Sequence, residues 1–567
     1  MMTPTECRNK HEGGRGMTIS LLDERWIPVL DRDGAPGKIA PWQIAEDEGL
    51  RYAALAAPRP DFNGALAQFL IGLLQTAFAP EDDKAWRKLW DAPPTPEQLR
   101  QAFYQYREAF VLDGDGPRFM QDLTLRDAEK KAIASLLIDA PGDKTERENK
   151  DHFIKRDVVS TVCPHCAAAA LFCLQTNAPG GGQGNRVGLR GGGPITTLLI
   201  PCDQPSGLWN FLWINILPQD RLLSDGEKRE KTFPWLGPTL TSVNDERVTP
   251  NSAQANLLQM YWGMPRRIRL QFLNIERHCD LCGEIGQQSI SEYIARNFGV
   301  SYVGWEHVLS PHNRKAADTL PIPIHGQAGG IGFRHWAGVV VSDVEGKTGG
   351  SRKPALILSH HKNSFYRRTI SADLWAFGYN MVDNMKARAW VDSRMPLLLA
   401  SPERQEAFET LSKGYVSAAG EAFGYLRSMA KAAFYGEPSQ SGGKLNWSYP
   451  PNTPKDGTFY ETLTNDYWRR GEADFFAHLR KALECADVAQ EQAVAESWLN
   501  TLGQLSAQCF DAAVNSVESS DGRVKAVIFA RAQLKRMMFG DALRGLLGLP
   551  QQEQKTEKSG KGKKRGR

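Results

Sequence analysis

The sequence predicts an α+β protein: a large mixed α/β N-terminal domain with a four-cysteine zinc site, followed by a C-terminal antiparallel four-helix bundle. Three observations predict it. Short β-type runs, "PITTLLI" and "RIRLQFLNI" among them, sit between Gly/Pro-bearing loops in the middle of the chain. Beyond residue 400 apolar residues recur at three- and four-residue steps. Two CxxC pairs lie between residues 163 and 282. The chain has 567 residues, too many for one core, so several domains are expected. Hydrophobic residues make up 41% and charged residues 24%, which is ordinary globular usage. A net charge of +4 places any nucleic-acid contact in local patches, not over a globally basic body.

In chain order, residues 1–16 read as a disordered extension, because "MMTPTECRNKHEGGRG" has no apolar stretch to serve as a signal peptide. Without an export signal the nine cysteines are expected in a reducing cytoplasm. The α/β domain is expected over 17–395. It opens on "LLDERWIPVL", a strand ending at Pro28. A helix follows at 64–79. Its run "ALAQFLIGLLQTAFA" is broken by Gln68 and Gln75 and is shorter than the roughly 20 residues a bilayer needs, so it reads as a core helix. A polar helical segment spans about 95–112, and "AAAALFCLQTN" is a further helix. "PITTLLI", "RIRLQFLNI", "HWAGVVVSDV" and "KPALILS" are strand candidates, with Arg266, Arg267 and Arg269 on a solvated strand face.

The bundle is expected over 400–550. Phe408, Leu411, Tyr415, Ala419, Ala422, Leu426, Met429 and Ala433 form one apolar helix face. "GEPSQSGGKLNWSYPPNTPKDG" breaks the pattern, and helical segments near 459–484, 487–516 and 522–547 follow. Residues 551–567 read as a basic disordered tail, a solvated one in the plainer reading and a loose nucleic-acid attractor in the other.

The cysteines carry the sharpest chemistry. Cys163-Pro-His-Cys166 and Cys279-Asp-Leu-Cys282 each place two thiolates on a tight turn. Two such turns complete the tetrahedral four-thiolate set of structural zinc. The pairs are too far apart for a compact ribbon, so the site would staple two distant stretches together. Redox CxxC chemistry calls for a thioredoxin-like βαβ context that the sequence lacks. Four cysteines leave no open position for water, which argues against catalytic zinc. His165 reads as a bystander, and Cys173, Cys202, Cys485 and Cys509 as small core residues.

Twelve residues past Cys166 begins "APGGGQGNRVGLRGGGP", Ala178–Pro194, in which eight of 17 residues are glycine. Glycine loses more backbone entropy on folding than any other residue, so the density calls for a reason. A phosphate cradle is disfavoured: there is no G-x-x-x-x-G-K-[ST], and no preceding strand of a dinucleotide fold. A linker is disfavoured by the helix before and the strand after. The remaining reading is a surface that something large approaches closely, with Arg186 and Arg190 placed to hold phosphates.

On these residues the chain resembles the large subunit of the type I-E CRISPR Cascade complex, the CasA family. "QTNAPGGGQGNRVGLRGGGPITT" is similar to the family's glycine loop and "LLDERWIPV" to its first strand. The CxxC pairs are similar to its zinc knuckles, "FGYNMVDNMKARAW" (377–390) to a segment near the end of its α/β domain, and the helical C-terminus to its four-helix bundle. The likeness covers roughly residues 17–550 in the family's order.

The resemblance implies a non-catalytic subunit of an RNA-guided antiviral complex. Such a subunit reads the protospacer-adjacent motif of double-stranded DNA from the minor groove. It helps open the duplex for crRNA pairing and gives a landing surface to a helicase–nuclease. It implies as partners target DNA, the crRNA-bearing backbone subunits, the small subunit and that helicase–nuclease, with no membrane. It implies structural zinc on Cys163, Cys166, Cys279 and Cys282.

The resemblance also assigns residues. Gly180, Gly181, Gly182 and Gln183 would read the motif, with Asn297 of "IARNF" beside them. Met381, Val382, Asp383 and Asn384 would form the wedge hairpin. Phe153 and Lys155 of "HFIKRD" would contact DNA and the crRNA-bearing backbone. The family pattern has glycine at Gln183 and lysine near Asn297, which implies an altered motif preference here; it has glutamine near Asp383, whose acidic side chain would repel phosphate and leave stacking to Met381 or Asn384. Without the resemblance, Asn297 is an ordinary surface residue and "MVDNMKARAW" an amphipathic helix with Met385 and Trp390 in the core.

The rival class is an enzyme, a zinc-dependent nucleic-acid-processing one or an NTPase. The sequence shows no His/Asp/Glu cluster at metal spacing, no P-loop and no nucleophile elbow, and its 11 histidines are scattered. A free-standing transcription factor would need a helix-turn-helix or basic region, and none stands out.

Overall fold

The structure is a computed structural model that describes residues 18–141, 147–148, 158–203, 205–222, 228–327, 329–344, 350–382, 386–441, 444–515 and 521–551. The chain divides into two compact units, residues 1–327 with 344–394, and residues 328–343 with 395–567. No helix among the described residues is long and apolar enough to cross a membrane.

In the first unit, β1 (Ile27–Asp31) is the middle strand of an antiparallel sheet with β2 (Pro36–Ile39) and β3 (Tyr52–Leu55). The strand runs through Pro28 instead of ending there. Pro28 offers only an acceptor, and the Ala56 amide donates to it at 2.9 Å. Helix α1 (Pro60–Ala77) starts on a proline at its first turn and is buried along most of its length. Its two interrupting glutamines are satisfied internally. Gln75 exchanges two 2.8 Å bonds with the main chain of Leu217, and Gln68 donates to the Gly64 carbonyl. Phe69 of α1 centres the core, packed edge-on against Trp26, Phe110, Phe119, Phe172 and Trp262 at 5.3–6.0 Å.

Three further pieces position the site. Strand β4 (Glu129–Ala132) belongs to the first. Helix α2 (Pro164–Asn177) is the second, and strand β5 (Thr196–Pro201) belongs to the third. Strands β6 (Arg267–Leu273) and β7 (Ser289–Arg296) form an antiparallel sheet with β4 on the far side of β7. Strand β8 (Ala372–Val382) pairs with β5, Phe377 opposite Thr196, and with β9 (Lys386–Pro396). The stretch that reads as an amphipathic helix without the family resemblance is therefore a β-hairpin. Phe377 on β8 packs against Trp390 on β9 at 5.4 Å.

Two strand expectations fail. "KPALILS" folds as a helix over Leu356–Asn363, with Ile357, Leu358 and His361 buried. A short apolar run does not separate strand from helix by periodicity alone. "HWAGVVVSDV" contributes a helical turn at Trp336–Val339, broken where Gly338 takes φ +98°, and only Asp343–Val344 is strand.

The second unit contains α3 (Gln405–Tyr435), α4 (Thr458–Glu484), α5 (Val488–Val514) and α6 (Asp521–Met538), which pack on one another. The expected apolar face of α3 is buried, except that Ser412 replaces Leu411 on its inner side. Tyr467 donates to the Ala419 carbonyl at 2.9 Å and Trp498 to that of Tyr415 at 3.2 Å, so the large aromatics bury without losing their polar ends. The last expected helix stops at Met538 and restarts at Asp541. The Gly/Pro-rich break after α3 holds a two-stranded hairpin, Glu437–Ser441 with Lys444–Ser448. Residues 328–343, which the sequence reading gave to the α/β domain, belong here. Phe333 stacks on Phe475 at 4.7 Å, and Trp336 donates to Ser412 at 3.2 Å.

Burial holds several imidazoles of the first unit neutral. His307 is driven down, and His312 and His361 fall to about 4. A folded-state pKa below the unfolded value near 6.5 contributes stability that is complete above that value and is lost as pH falls toward 4. The melting temperature should therefore drop between about pH 7 and about pH 5, before most carboxylates protonate. A melting temperature flat across that window would contradict the neutral burial of these rings.

Candidate nucleic-acid interface and metal centre

Helix α2 joins the two sites. At its start Cys163 is the cap residue, and its sulfur accepts from the Cys166 amide at 3.4 Å. The second knuckle forms between β6 and β7. The Gly283 amide donates to the Cys279 carbonyl at 2.9 Å, and Gly283 takes φ +78°, a left-handed turn that favours glycine. Asp280 ties the knuckles together. Its carboxylate accepts from the Ser160 and Thr161 amides, both at 2.8 Å, and these donors hold it below the usual carboxylate range.

The four sulfurs all lie within 4.8 Å of one another. Sulfurs bound at about 2.3 Å from one tetrahedral ion are about 3.8 Å apart, and Cys163 and Cys282 are separated by 3.8 Å. The donor set thus fits a tetrahedral ion that prefers thiolates. Hydrogen bonds from Cys163 and Cys166 pull the Cys279 thiol down, while Cys282 falls to about 7, also through its bond with Cys166. His165 is no ligand: its Nε2 lies 2.7 Å from a Glu24 carboxylate oxygen. Cys202, expected in the core, is exposed, whereas Cys173, Cys485 and Cys509 are buried.

At its other end α2 releases the glycine loop. The base is closed by main-chain bonds, Gly188 to the Ala178 carbonyl at 3.0 Å and Gly193 to that of Asn177 at 3.2 Å. Its glycines fall into two kinds. A Cβ on Gly188 would lie 2.6 Å from the Thr176 carbonyl oxygen, and on Gly184 it would meet Phe298 at 3.0 Å. These are close-packing positions. Gly182, with φ +73°, has only the Asn185 side-chain nitrogen near its Cβ direction, at 3.2 Å, and is exposed with Gln183 at the tip.

Residues far away in sequence hold the loop from one side. The Asn297 amide donates to the Gln183 carbonyl at 2.8 Å, and the Phe298 main chain to the Gly184 carbonyl at 2.8 Å. The Arg266 guanidinium donates to both the Pro179 carbonyl and the Asn185 side chain, so it spans the tip. Burial pushes Arg266 down to about 10, which leaves it a cation at neutral pH. The carbonyls of Pro179, Gln183 and Gly184 are thus turned toward the protein. Among the described residues no acceptor takes the amides of Gly180, Gly181, Gly182 or Gln183.

Several expected residues are placed differently. Arg190 is 3% exposed, and its guanidinium donates to Thr196 and Ser310 at 2.9 Å and to Gln68. It cannot reach phosphate, and burial lowers it to about 9. Arg186, half-buried, donates to the Ser242 hydroxyl at 2.6 Å and to the Ser242 carbonyl, bracing the loop. The arginines read as a solvated strand face are structural in two cases: Arg266 as described, and Arg267 in a 2.6 Å pair with the buried Asp122. Met381 is at the end of β8, but Asp383 and Asn384 lie outside the described residues, as do the Val382 side chain and both Phe153 and Lys155. Sequence reasoning missed Arg266, Ser242 and Phe298 as holders of the loop, and no spacing signal marks them, because their roles arise only across the tertiary fold.

The profile of the CRISPR-associated protein Cse1 family matches residues 20–509. Among solved structures, the chain is similar to CRISPR-associated protein Cse1 from Acidimicrobium ferrooxidans, at 18% identity and a TM-score of 0.67 over 93% of this chain and 99% of that one. Thermobifida fusca Cse1 gives 16% identity and 0.66 over 94% and 98%. CasA from Thermus thermophilus gives 17% and 0.65 over 92% and 99%. A chain of a CRISPR RNA-guided surveillance complex aligns at 14% and 0.63 over 91% and 99%. These likenesses establish the shared fold, and with the profile covering most of the sequence, the chain belongs to the CRISPR-associated protein Cse1 family, that of the type I-E Cascade large subunit.

Proposed function

We propose that this chain is the non-catalytic, cytoplasmic subunit that reads the protospacer-adjacent motif in an RNA-guided DNA surveillance complex. Gly180–Gln183 enters the minor groove beside the motif. The observation that carries this reading is the loop tip: carbonyls held from behind and amides left without acceptors. Minor-groove edges of A·T pairs present only acceptors, so free N–H donors on a strand without Cβ atoms match them. Gln183 adds an amide that donates to those acceptors or accepts from the guanine amino group. Arg266 and Arg186 set positive charge behind the tip and favour the phosphates flanking the groove.

In the same reading, Met381–Asn384 at the end of the β8–β9 hairpin separates the strands for crRNA pairing. Phe153 and Lys155 contact the DNA and the crRNA-bearing backbone. The helical unit is an antiparallel four-helix bundle, and the small subunit and the recruited helicase–nuclease are further partners of the chain. The four-cysteine cluster holds structural zinc, whose bound charge fixes the knuckles and leaves no open position for chemistry.

The glycine classes give the test. Gly182→Val should lower motif-dependent affinity about tenfold or more, since each base contact is worth roughly 1–3 kcal/mol; at φ +73° a β-branched residue also strains the tip. Gly188→Ala should instead lower the melting temperature, because its Cβ meets main chain. Gln183→Gly should change which motifs are accepted in a library binding assay. An unchanged motif profile for both Gly182→Val and Gln183→Gly would move the reader elsewhere.

For the metal, protein purified without chelator should carry about one zinc per chain by elemental analysis. Cys279→Ser should lose it and destabilise the first unit, because it forfeits a large part of the roughly 10–16 kcal/mol of metal binding. Full-strength folding of a zinc-free chain would contradict the structural role.

A further inference from the structure

Beyond the tip, the glycine loop returns through an arm, Gly191–Ile195, that touches the β8 strand. A Cβ on Gly193 would lie 2.7 Å from the Tyr379 Cβ and 2.7 Å from the Met381 methyl. One Cβ on Gly378 of β8 would lie 2.6 Å from the Pro194 carbonyl oxygen. Between arm and strand runs a third segment, Ile324–Gly326. The Ile195 amide donates to the Ile324 carbonyl at 2.8 Å, Pro194 bridges His325, and Gly326 bridges Asn380. His325 is the one side chain in this spacer that bonds to the arm. Its Nδ1–H donates to the Gly192 carbonyl at 2.9 Å, and its ring fills the space where Gly191, at φ +82°, has no Cβ: one there would lie 2.8 Å from Cε1.

We propose that His325 is a positioning residue that couples the glycine loop to the β8–β9 hairpin. It sets the arm of the motif reader against Asn380 and Met381, where strand separation is assigned. The proposal rests on the functional reading above. The physical argument is economy of contact. Main chain meets main chain at Gly326 and Gly378, while at Gly191 and Gly193 the arm lies against the His325 ring and the Tyr379 and Met381 side chains. A load on the tip therefore passes into β8 through close contacts. The His325 hydrogen bond is the side-chain bond on this arm, beside the main-chain bonds of Gly191 to Gly188, Gly193 to Asn177 and Ile195 to Ile324. Without it the Gly192 carbonyl, between the anchored amides of Gly191 and Gly193, is free to turn, and Met381 loses that reference to the loop. Coupling of this kind is shown by non-additivity, not by proximity.

The test uses the complex reconstituted with its crRNA-bearing backbone and a target duplex carrying 2-aminopurine next to the motif. His325→Ala should leave motif-duplex affinity within about threefold. It should slow the fluorescence rise of strand opening by up to about tenfold, the upper end of one main-chain hydrogen bond. His325→Asn, whose side-chain amide donates from nearly the position of Nδ1, should restore most of the rate. Adding Met381→Ala to His325→Ala should cost less than the sum of the two alone. Opening at the unaltered rate in His325→Ala would overturn the proposal. So would a His325→Asn protein with unaltered melting temperature that opens as slowly as His325→Ala, or strict additivity with Met381→Ala. Gly182→Val is the control for the underlying reading. If it fails to alter motif affinity, the loop is not the reader. If it does alter affinity while the His325 variants open normally, only the coupling falls.

Discussion

Helix α2 is held at both ends by the same β-hairpin, and the proposed reader depends on that. At one end the thiols of Cys163 and Cys166 meet those of Cys279 and Cys282 at the turn between β6 and β7. At the other, Gln175 exchanges hydrogen bonds with the Arg266 main chain at 2.9 and 3.0 Å, just where β6 begins. Just ahead of the first knuckle Val162 pairs with Ile290. A 14-residue helix spans about 21 Å, so the cysteine cluster sets the level of the loop from that distance. Losing the cluster frees one end of a lever whose other end carries the glycine tip.

The same hairpin supplies the loop's clasp. Arg266 precedes β6, and Asn297 and Phe298 follow β7. These three residues bind the carbonyls of Pro179, Gln183 and Gly184, and among the described residues no acceptor takes the tip amides. The base of the loop is closed by its own main chain, but its tip is held from outside. Glycine there serves two ends: close approach of main chain at Gly184, Gly188 and Gly193, and an unobstructed surface at Gly182. The entropic cost of eight glycines is offset by these clasps, which no other residue type would permit without clashes.

What was legible in the sequence follows from how local its cause is. The CxxC spacing placed four thiols in one cluster, because two tight turns fix each pair. The apolar face of α3 was legible because burial along a long helix repeats every turn. The "KPALILS" helix was not, since three apolar residues fit either period, and Pro354 and Ala355 start it by position alone. Arg190 misled for a related reason. A guanidinium beside a glycine loop suggests phosphate, but its partners Gln68, Thr196 and Ser310 converge on it only in the fold. Asn297 and Gln183 were each singled out. Their direct bond across 114 residues is a tertiary fact that no local pattern carries.

The central claim is that the tip reads the motif from the minor groove through outward amides. The most direct measurement is the affinity of the assembled complex for duplexes altered one groove at a time within the motif. Replacing motif adenines by 3-deazaadenine removes a minor-groove acceptor, and replacing motif purines by their 7-deaza analogues removes a major-groove acceptor. The account predicts that the 3-deaza duplex binds about tenfold more weakly, a loss of about 1.4 kcal/mol, while the 7-deaza duplex binds as the natural one does. Weakened binding to the 7-deaza duplex with the 3-deaza duplex unaffected would contradict it.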